Sequence, residues 1–551
     1  MADLKEQGRA LMREHALIAG RPITAPDTIA VDDPAEGATL GTVPKLSAEQ
    51  VESAVRAAAD AFPAWAATPA FERAGVLRRW AELVDGKAEA LAALMSLENG
   101  KPLSEARGEI AYANQFVRWF SGEAERIGGR VIESWSGADR VLTFGDPVGV
   151  AAAITPWNFP AAMVTRKLAP ALAAGCTVVL KPASATPFTA IALVELALEA
   201  GVPAGALNVV TGDSGTVGGV LTGSPLVRKL SFTGSTPVGR RLMADCAPTL
   251  KRLSMELGGS APGIVFEDAD LERAIDGVIK GKFRNTGQSC VSINRAYVQR
   301  PVLDAFVAGV EARMRALKVG RPFEDGVEIG PLIDENGVRK VADHVAALQA
   351  GGARLVMGGK RHALGGLFFE PTLLVGGDDA LLRGEETFGP LLAVFPFEDE
   401  AEVLNKANDT PFGLASYVWT GGLERSLRVA RGIEAGMVGV NTGLISNAAN
   451  PFGGIKASGF GREGSIYGLD EYLQIKAITL GRGGLSAQGR VRSQARPASR
   501  SPKYSSAIDL GRSSPIRRTG EWCSSKAPVT SATSRTRARA ARGSQSCASQ
   551  T

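Results

Sequence analysis

Residues 148–181 read VGVAAAITPWNFPAAMVTRKLAPALAAGCTVVLK, in which two short apolar runs flank a longer segment of helical character. The runs at residues 148–155 and 177–180 predict strands, and residues 161–174 predict the helix that joins them. Strands that are covered by helices on both faces are continuously apolar instead of alternating between apolar and polar residues. The stretch therefore predicts a βαβ unit whose two strands belong to one parallel sheet.

The same alternation of strands and helices continues towards the C-terminus, and it restarts after Glu256. A restart of this kind predicts a second α/β unit with a sheet of its own. The further predicted strands are residues 207–211, 230–233, 261–266 and 295–299, and the further predicted helices are residues 189–200, 237–246 and 270–283.

Two regions depart from the alternation. Residues 128–146 are rich in polar and β-branched residues, which predicts a hairpin arm that leaves the first sheet. Residues 50–98 predict two helices, the second of which has an apolar stripe at helical spacing. The stripe is formed by Val76, Leu77, Trp80, Leu83 and Val84.

Composition restricts the class of protein. The chain has 551 residues, of which 45% are hydrophobic and 22% are charged, values typical of a globular protein of several domains. It has no run of about 18 apolar residues, and residues 1–6 do not resemble an export signal, so we expect a cytoplasmic protein without a membrane partner. Five cysteines without paired spacing argue against a disulfide framework or a zinc cluster, and we expect no metal.

The net charge of +5 comes from the C-terminal segment. Residues 486–551 contain 13 Lys and Arg against 2 Asp and Glu, which leaves 49 against 55 in the rest of the chain. This segment is rich in Ser, Arg, Ala and Pro without apolar periodicity, which predicts disorder. It is either an appendage for nucleic acid or acidic partners or, as the preferred interpretation, an accidental extension. For the mildly acidic remainder we expect no nucleic-acid partner.

Two glycine-containing motifs indicate the chemistry. Residues 287–290 read GQSC and residues 256–259 read ELGG, so that a cysteine and a glutamate each lie close to glycine. A cysteine attacks a carbonyl only as the thiolate, and its ordinary pKa of about 8.5 leaves it mostly protonated at neutral pH. Glu256 is the nearest base within a motif, so Cys290 and Glu256 are a candidate nucleophile and base. The alternative is that Cys290 is a small buried core residue, the common fate of a free cysteine.

Three further motifs follow predicted strands, at the edge where parallel sheets bind ligands. Residues 232–236, FTGST, end a strand and open a helix whose amide groups can bind a phosphate. Lys181 could bind a ribose or a phosphate, and Asn158 in residues 157–160, WNFP, could donate a hydrogen bond to an oxyanion. Taken singly, each motif has an ordinary alternative, namely a plain turn, a solvated strand end and a helix cap.

Taken together, the motifs resemble those of the aldehyde dehydrogenase superfamily over about residues 10–485. Such a set is far more specific than any single motif. The six motifs, in the order of that family, are residues 156–160 PWNFP, 232–236 FTGST, 256–259 ELGG, 287–290 GQSC, 386–390 ETFGP and 451–454 PFGG.

The resemblance implies an α/β fold of the aldehyde dehydrogenase type. A Rossmann-type NAD(P)-binding domain is expected at residues 1–126 and 148–255, and a catalytic domain at residues 256–450. A β arm at residues 127–147 and 451–485 is expected to join subunits into a homotetramer or homodimer.

The resemblance also implies roles for individual residues. Cys290 would attack the aldehyde, Asn158 and the Cys290 amide would bind the resulting oxyanion, and Glu256 would activate the water that hydrolyses the thioester. The hydride would pass to NADP or NAD. The residues expected to bind this cofactor are Trp157, Lys181, Ser184, Gly234, Ser235, Glu386 and Phe388.

Within the superfamily the strongest resemblance is to the succinate-semialdehyde dehydrogenases, through the segments 165–167 TRK, 282–285 KFRN and 443–446 GLIS. An aldehyde with a distal carboxylate needs fixed cationic donors, and arginine binds carboxylates through two hydrogen bonds. Arg166 and Arg284 would hold the carboxylate and Ser446 would add a hydroxyl, the alternative being a pair of ordinary surface arginines. Glutarate semialdehyde stays open as a substrate, because one methylene changes binding by only about 1–3 kcal/mol.

The residue at position 184 bears on the choice between NAD and NADP. Ser184 stands where NAD-preferring relatives often have a carboxylate, so we expect NADP to be accepted.

Two rival functions stay open. One rival is a cofactor-independent thiol esterase, but His15, His344 and His362 lie outside every motif, which argues against a Cys-His hydrolase. The other rival is a catalytically silent binding protein, which would require a broken motif, and none is found.

Overall fold

The computed structural model describes residues 2–135 and 139–481, and the segment 486–551 lies outside them. The described residues form an α/β structure with four sheets, which confirms the predicted fold class. The strands are β1 (Ala16–Ile18), β2 (Arg21–Ile23), β3 (Thr28–Asp33), β4 (Ala38–Pro44), β5 (Arg130–Glu133), β6 (Arg140–Pro147), β7 (Val150–Ile154), β8 (Thr177–Lys181), β9 (Leu207–Val209), β10 (Val227–Thr233), β11 (Arg252–Glu256), β12 (Ala261–Val265), β13 (Ile293–Gln299), β14 (Arg354–Met357), β15 (Thr372–Val375), β16 (Leu391–Phe397), β17 (Ala415–Trp419), β18 (Met437–Val440), β19 (Gly459–Phe460) and β20 (Leu473–Leu480).

The α-helices connect these strands and cover both large sheets. In none of the described residues is there a helix both long enough and apolar enough to cross a membrane. The helices are α1 (Ala2–Arg9), α2 (Ala48–Ala67), α3 (Ala70–Gly86), α4 (Ala88–Asn99), α5 (Leu103–Ala124), α6 (Ala162–Ala174), α7 (Phe188–Glu199), α8 (Ser214–Gly223), α9 (Thr236–Cys246), α10 (Leu271–Phe283), α11 (Leu303–Ala316), α12 (Glu335–Ala350), α13 (Ala380–Gly384), α14 (Glu400–Asn408), α15 (Leu423–Gly432) and α16 (Ser465–Asp470).

The first sheet contains the predicted βαβ unit at its centre. Its strand order is β19-β11-β10-β7-β8-β9-β1-β2, and the strands from β11 to β9 are parallel. Thr233 lies opposite Glu256, and Ile154 lies opposite Lys181, so the neighbouring strands end level with one another. The residues that follow β7, β8, β10 and β11 therefore meet at one edge of the sheet.

The second sheet is built from residues 261–440, after the restart that the sequence predicts. Its strand order is β14-β15-β16-β13-β12-β17-β18, and within it only β14 runs antiparallel to its neighbour. The division of the chain into cofactor, catalytic and arm domains at the limits given above remains a prediction.

The hairpin predicted at residues 128–146 is present. Strands β5 and β6 are antiparallel, and β20 pairs with the other side of β6, from Leu473 opposite Pro147 to Leu480 opposite Arg140. This three-stranded sheet exposes several large apolar side chains, a feature that often marks an interaction surface. The exposed side chains are Val131, Ile132, Trp135, Phe144, Ile475, Ile478 and Leu480.

The prediction of two helices in residues 50–98 is wrong, because this region contains α2, α3 and α4. The first break lies at Thr68, which has extended backbone because the residue before a proline is disfavoured in a helix. The second break lies at Lys87, whose backbone also leaves the helical region. The apolar stripe is correct in α3, where Val76, Leu77, Trp80 and Val84 are buried and Leu83 is half-buried.

Candidate active site

The loop before Cys290 is strained. Asn285, Thr286 and Gly287 have φ angles of 53°, 57° and 77°, three consecutive residues in the left-handed region that favours glycine. Strain of this kind persists only where surrounding contacts impose it, and it is frequent at functional sites. The Thr286 hydroxyl donates to the carbonyl of Gly330 and accepts from its amide, at 3.2 and 3.0 Å. A Cβ at Gly287 would lie 2.2 Å from the carbonyl oxygen of Gly389, so this position requires glycine.

Asn158 is joined directly to this loop. Its Nδ2 donates to the carbonyl of Gln288 at 3.0 Å, two residues before Cys290. Its own carbonyl oxygen accepts from Lys101 Nζ and from Asn285 Nδ2, both at 2.9 Å. The amide group that is predicted to bind the oxyanion is therefore fixed beside the predicted nucleophile, as electrostatic stabilisation requires.

One cavity of about 340 Å³ brings together most of the predicted residues. This cavity is not lined by Glu256, Lys181 or Ser184, although Glu256 ends β11 and Lys181 ends β8 at the same edge of the sheet. The predicted residues that line the cavity are Trp157, Asn158, Gly234, Ser235, Cys290, Glu386 and Phe388.

Helix α12 contributes residues that sequence reasoning missed. Asn336, Gly337 and Lys340 line the same cavity, and Asp334 caps the helix by accepting from the amide of Gly337 at 2.8 Å. The only signal in the sequence is the capping aspartate, which predicts the start of a helix and nothing about a ligand. Lys340 lies close enough to Glu386 for its charge to lower the pKa of that carboxyl group.

The Cys290 side chain is half-buried and protonated at rest. Burial raises the pKa of the Cys290 thiol to about 12, the charges of Glu386 and Glu256 act in the same direction, and Arg166 acts against them. A thiol in these surroundings needs a proton acceptor before it can attack a carbonyl. The alternative of an inert core cysteine describes Cys176 and Cys246 better, since both are fully buried.

Glu256, the predicted acceptor, lies near enough to Cys290 for its charge to raise the pKa of the thiol. Its carboxyl group is buried at the end of β11, and neither oxygen has a hydrogen-bond partner among the described residues. Burial, and next the nearby charge of Glu463, raise the pKa of Glu256 well above its ordinary value. Glu256 therefore holds a proton at neutral pH more readily than an exposed carboxyl does, and it is the kind of group that serves as a general acid or base.

Glu463 is a buried carboxylate behind Glu256. Although burial alone would raise it, the pKa of Glu463 is lowered because Lys167 and Arg166 lie beside it. Lys167 forms an ion pair with Glu463 and donates to the Ser231 hydroxyl at 3.1 Å, and that hydroxyl donates to Glu463 at 3.3 Å. Glu463 lies outside every motif and was not predicted from the sequence.

The cofactor-binding candidates on the cavity wall have unused polar atoms. Burial raises the pKa of Glu386 to about 8, and its Oε1 has no hydrogen-bond partner among the described residues. Ser235 is the N-cap of α9, and its hydroxyl makes no capping hydrogen bond. Phe388 has a φ of 58°, left-handed and strained, and its ring meets that of Trp157 edge to face at 5.5 Å. These groups match a ligand that has ribose hydroxyls, a phosphate and a flat ring.

Lys181 and Ser184 lie further along the same edge. Burial lowers the pKa of Lys181, with the charge of Asp213 acting against it, and Lys181 Nζ lies 3.5 Å from the carbonyl oxygen of Pro182. Ser184 follows three residues later and is half-buried. A buried ammonium group with so weak a contact is suited to binding a further anionic or hydroxyl group.

A second, outer cavity of about 600 Å³ is lined by Arg284, Ser446 and Tyr112 among others. The Arg284 guanidinium stacks 4.7 Å from the ring centroid of Phe159 and 5.5 Å from that of Tyr112. Among the described residues it has no hydrogen bond or ion pair, so its donors remain available for a carboxylate. Tyr112, which the sequence did not indicate, is a neighbour of both Arg284 and Ser446.

Arg166 is not placed in the outer cavity with Arg284 and Ser446. Its Nε lies 2.6 Å from Glu463, and its guanidinium carbon lies 3.9 Å from the ring centroid of Phe452. It is 1% exposed, which excludes the alternative of an ordinary surface arginine. Its Nη2 has no hydrogen-bond partner among the described residues, so one donor remains for a ligand close to Cys290. In the described part of the chain, no three or more His, Cys, Asp or Glu side chains are grouped so as to hold a metal ion.

Comparisons with known proteins agree with this geometry. Residues 23–478 match the aldehyde dehydrogenase family. The chain is 55% identical over 474 residues to a glutarate-semialdehyde dehydrogenase of Pseudomonas aeruginosa, covering 86% of this chain and 98% of that protein. It is 54% identical, over the same shares of the two chains, to an NADP-dependent succinate-semialdehyde dehydrogenase of Escherichia coli strain K12. A crystal structure described as an E. coli NADP-dependent enzyme superposes with a TM-score of 0.85 at 55% identity, covering 86% of this chain and 99% of that one.

Proposed function

The chain belongs to the aldehyde dehydrogenase family, and we propose on this basis that it oxidises a carboxylate-bearing semialdehyde, succinate semialdehyde to succinate before others, with NADP or NAD. The observation that carries the substrate class is the guanidinium of Arg284, stacked between two rings in the outer cavity without a carboxylate partner among the described residues. Such a fixed, unpaired cation selects aldehydes that have a distal negative charge.

Glutarate semialdehyde is the second candidate, supported by the relative in P. aeruginosa that has this name. It is one methylene longer than succinate semialdehyde, a difference worth about 1–3 kcal/mol. A cavity of about 600 Å³ has room for either aldehyde. The size of the cavity therefore does not distinguish the two substrates, and a comparison of their kcat/KM values is needed.

The reaction begins at Cys290. Its proton passes to a base, for which Glu256 is the proposed acceptor, and the sulfur then bonds to the aldehyde carbon. The carbonyl oxygen becomes an oxyanion, which the Asn158 side-chain amide and the Cys290 backbone amide stabilise. Support for this assignment comes from the contact of Asn158 with the loop that carries Cys290.

NADP or NAD, when bound, supplies the hydride acceptor for the oxidation. Loss of hydride from the aldehyde carbon turns the hemithioacetal at Cys290 into a thioester. Once Glu256 has released the Cys290 proton to solvent, it takes a proton from a water molecule, whose oxygen attacks the thioester. The C–S bond then breaks, which releases the carboxylic acid product and the Cys290 thiolate, and Glu256 returns its proton to that sulfur. Neither oxygen of Glu256 has a hydrogen-bond partner among the described residues, so both remain able to accept a hydrogen bond from such a water. Ser235, Glu386 and Phe388 would hold the cofactor together with Trp157 and Gly234.

NADP is the proposed cofactor of first choice. Ser184 has a hydroxyl where a carboxylate would repel a 2′-phosphate, and the ammonium group of Lys181 ends the adjacent strand. The relative in E. coli is described as NADP-dependent. NAD remains the alternative, because both cofactors share the pyrophosphate, ribose and nicotinamide groups.

We further propose that the three-stranded sheet formed by β5, β6 and β20 joins subunits into a homodimer or homotetramer. Its support is the exposure of the apolar side chains of Val131, Phe144 and Ile475 on one small sheet. A cytoplasmic location is proposed because the reaction needs Cys290 in its reduced state, which the cytosol maintains.

A panel of aldehydes tests the proposal as a whole. Succinate semialdehyde, glutarate semialdehyde and butanal are each offered with NADP or NAD, and the absorbance of the reduced cofactor is followed. We expect both semialdehydes to have a kcat/KM at least about 10-fold above that of butanal. Equal values for all three would contradict the carboxylate preference, and ester hydrolysis without cofactor would support the thiol esterase instead.

A further inference from the structure

We propose that Glu105 is a positioning residue, which holds the strained loop before Cys290 in the geometry that the reaction requires. The inference rests on the proposed function, since it concerns the same reaction. Glu105 lies in the first turn of α5, outside all six motifs. It touches the loop at one defined point and does not contact the reacting sulfur.

The contact is between the Glu105 carboxylate and the backbone of Asn285. Glu105 Oε2 accepts a hydrogen bond from the Asn285 amide at 2.7 Å, across 180 residues of sequence. Asn285 is the first of the three left-handed residues, so this bond is made where the backbone turns away from its ordinary conformation. A short hydrogen bond to a carboxylate is among the stronger ones in proteins, and it can offset backbone strain.

The Asn285 side chain contacts both Asn158 and the loop that carries Cys290. Its Nδ2 donates to the carbonyl of Asn158 at 2.9 Å and lies 3.3 Å from the carbonyl of Gln288. The Gln288 carbonyl in turn accepts from Asn158 Nδ2. The position of Asn285 therefore determines the distance between the proposed oxyanion donor and the loop that carries Cys290.

A second carboxylate of α5 holds the other half of the site. Glu109 Oε1 accepts from the amides of Ala161 and Ala162 at 3.0 and 3.2 Å, where α6 begins. Lys101 forms an ion pair with Glu109 and donates to the carbonyl of Asn158. The segment with Asn158 and the loop with Cys290 are thus both held by one helix, with Glu105 on the side of the nucleophile.

The charges around Glu105 keep its carboxyl group ionised at neutral pH. Burial raises the pKa of Glu105 to about 6, while Lys101, the Asn285 amide and Arg284 act in the opposite direction, and Glu109 adds to the rise. Arg284 directly precedes Asn285 in the chain. Losing the hydrogen bond of Glu105 would therefore also free the residue that is proposed to bind the substrate carboxylate.

Two substitutions separate positioning from other roles. Glu105→Ala removes the acceptor, whereas Glu105→Gln keeps a neutral acceptor oxygen of the same shape. We expect Glu105→Ala to lower kcat by about 10- to 100-fold, since misplacement by about 1 Å can have such an effect. The loss should be equal for succinate semialdehyde and butanal, with KM for butanal within about 3-fold. Glu105→Gln should restore kcat to within about 5-fold of the wild type.

The control is Glu89→Ala. Glu89 of α4 forms an exposed ion pair with Arg107 of α5, so its loss should leave kcat and KM unchanged. Thermal unfolding identifies variants that do not fold. If Glu105→Ala does not fold, the kcat of Glu105→Gln is the measurement that tests the proposal. A folded Glu105→Ala variant with wild-type kcat would overturn the proposal. So would an effect of Glu105→Ala that is confined to KM for the semialdehyde. A folded Glu105→Gln variant that is as inactive as Glu105→Ala would also overturn it. Because butanal has no carboxylate, its kcat tests Glu105 even if the semialdehyde preference proves wrong.

Discussion

The carbonyl oxygen of Cys290 lies directly against Gly259, so close that a Cβ atom at position 259 would come within 2.6 Å of it. Since Gly259 follows three residues after Glu256, this contact joins the strand end that carries the proposed base to the loop that carries the proposed nucleophile. Both ends of the contact are backbone, and backbone cannot move aside as a flexible side chain can.

Gly259→Ala should therefore disrupt the site. We expect a loss of about 1–3 kcal/mol in the free energy of unfolding, typical of overpacking, together with a large fall in kcat. Thermal unfolding and turnover with succinate semialdehyde measure the two effects. Gly86→Ala is the control, since a Cβ at Gly86 meets no atom within 4 Å. Equal activity of the two variants would contradict the close approach.

Cys290→Ala should abolish oxidation, because among the described residues Cys290 is the cysteine that lines the cavity. We expect kcat to fall by at least about 1000-fold while NADP still binds, as measured by fluorescence titration. Cys246→Ala is the control, since Cys246 is buried at the far end of α9 and makes no part of the site. Substantial turnover of the Cys290 variant would exclude Cys290 as the nucleophile.

Glu256→Gln should block hydrolysis of the thioester. We expect a burst of reduced cofactor, followed by a steady state lowered by about 10²–10⁴-fold, the usual contribution of a general base. Stopped-flow absorbance resolves the two phases. Glu267→Gln is the control, because Glu267 follows β12 as a solvent-exposed residue. A normal steady state in Glu256→Gln would remove Glu256 from this role.

The steady-state rate of the wild-type protein should depend on pH through the carboxyl group of Glu256. Burial raises the pKa of Glu256, and only its ionised form accepts a proton from water. Hydrolysis of the thioester should therefore be slow at low pH and become faster as the pH rises through the raised pKa. The steady-state rate between pH 5 and pH 9 shows this rise, which should be absent in Glu256→Gln. A rate that falls over the same interval would contradict the assignment.

Arg284→Ala should weaken binding of semialdehydes selectively. A charged hydrogen bond contributes about 1.5–3 kcal/mol, so we expect KM for succinate semialdehyde to rise by about 10- to 100-fold and KM for butanal to stay nearly constant. Arg273→Ala is the control, since Arg273 is a strongly exposed residue of the preceding helix α10. Equal changes of KM for both aldehydes would contradict the proposed carboxylate contact.

Ile475→Asp should separate the proposed subunits. Ile475 is 82% exposed on β20, and a charge in an apolar interface is costly. Light scattering after gel filtration should show a smaller particle than the wild type. Leu427→Asp is the control, an equivalent change at an exposed apolar residue of α15. An unchanged particle size would place the interface elsewhere.

Local patterns in the sequence were sufficient to predict the central strands of the first sheet and two strands of the second, whereas Glu386 and Phe388 on the cavity wall came only from the resemblance to a family. Asn158 and Ser235 each follow a strand that the apolar runs predict, and parallel strands that end level bring such residues to one edge. The strand that ends at Glu256, β11, was not predicted. The loop of Cys290 was identified by its glycine, whose left-handed backbone and contact with Gly389 the structure explains. The error in residues 50–98 arose because a single proline and one irregular residue interrupt an otherwise continuous helical pattern.

The sequence by itself determined the α/β class and most of the strands and helices between residues 148 and 299, because these follow from apolar periodicity over short distances. Only the tertiary structure decided that Glu105 would hold Asn285 and that Arg166 would pair with Glu463. Each pair is separated by more than 150 residues, and no local pattern marks such partners. Their pairing is decided by burial, since a charge removed from water must find an opposite charge or a hydrogen bond wherever the packed chain provides one.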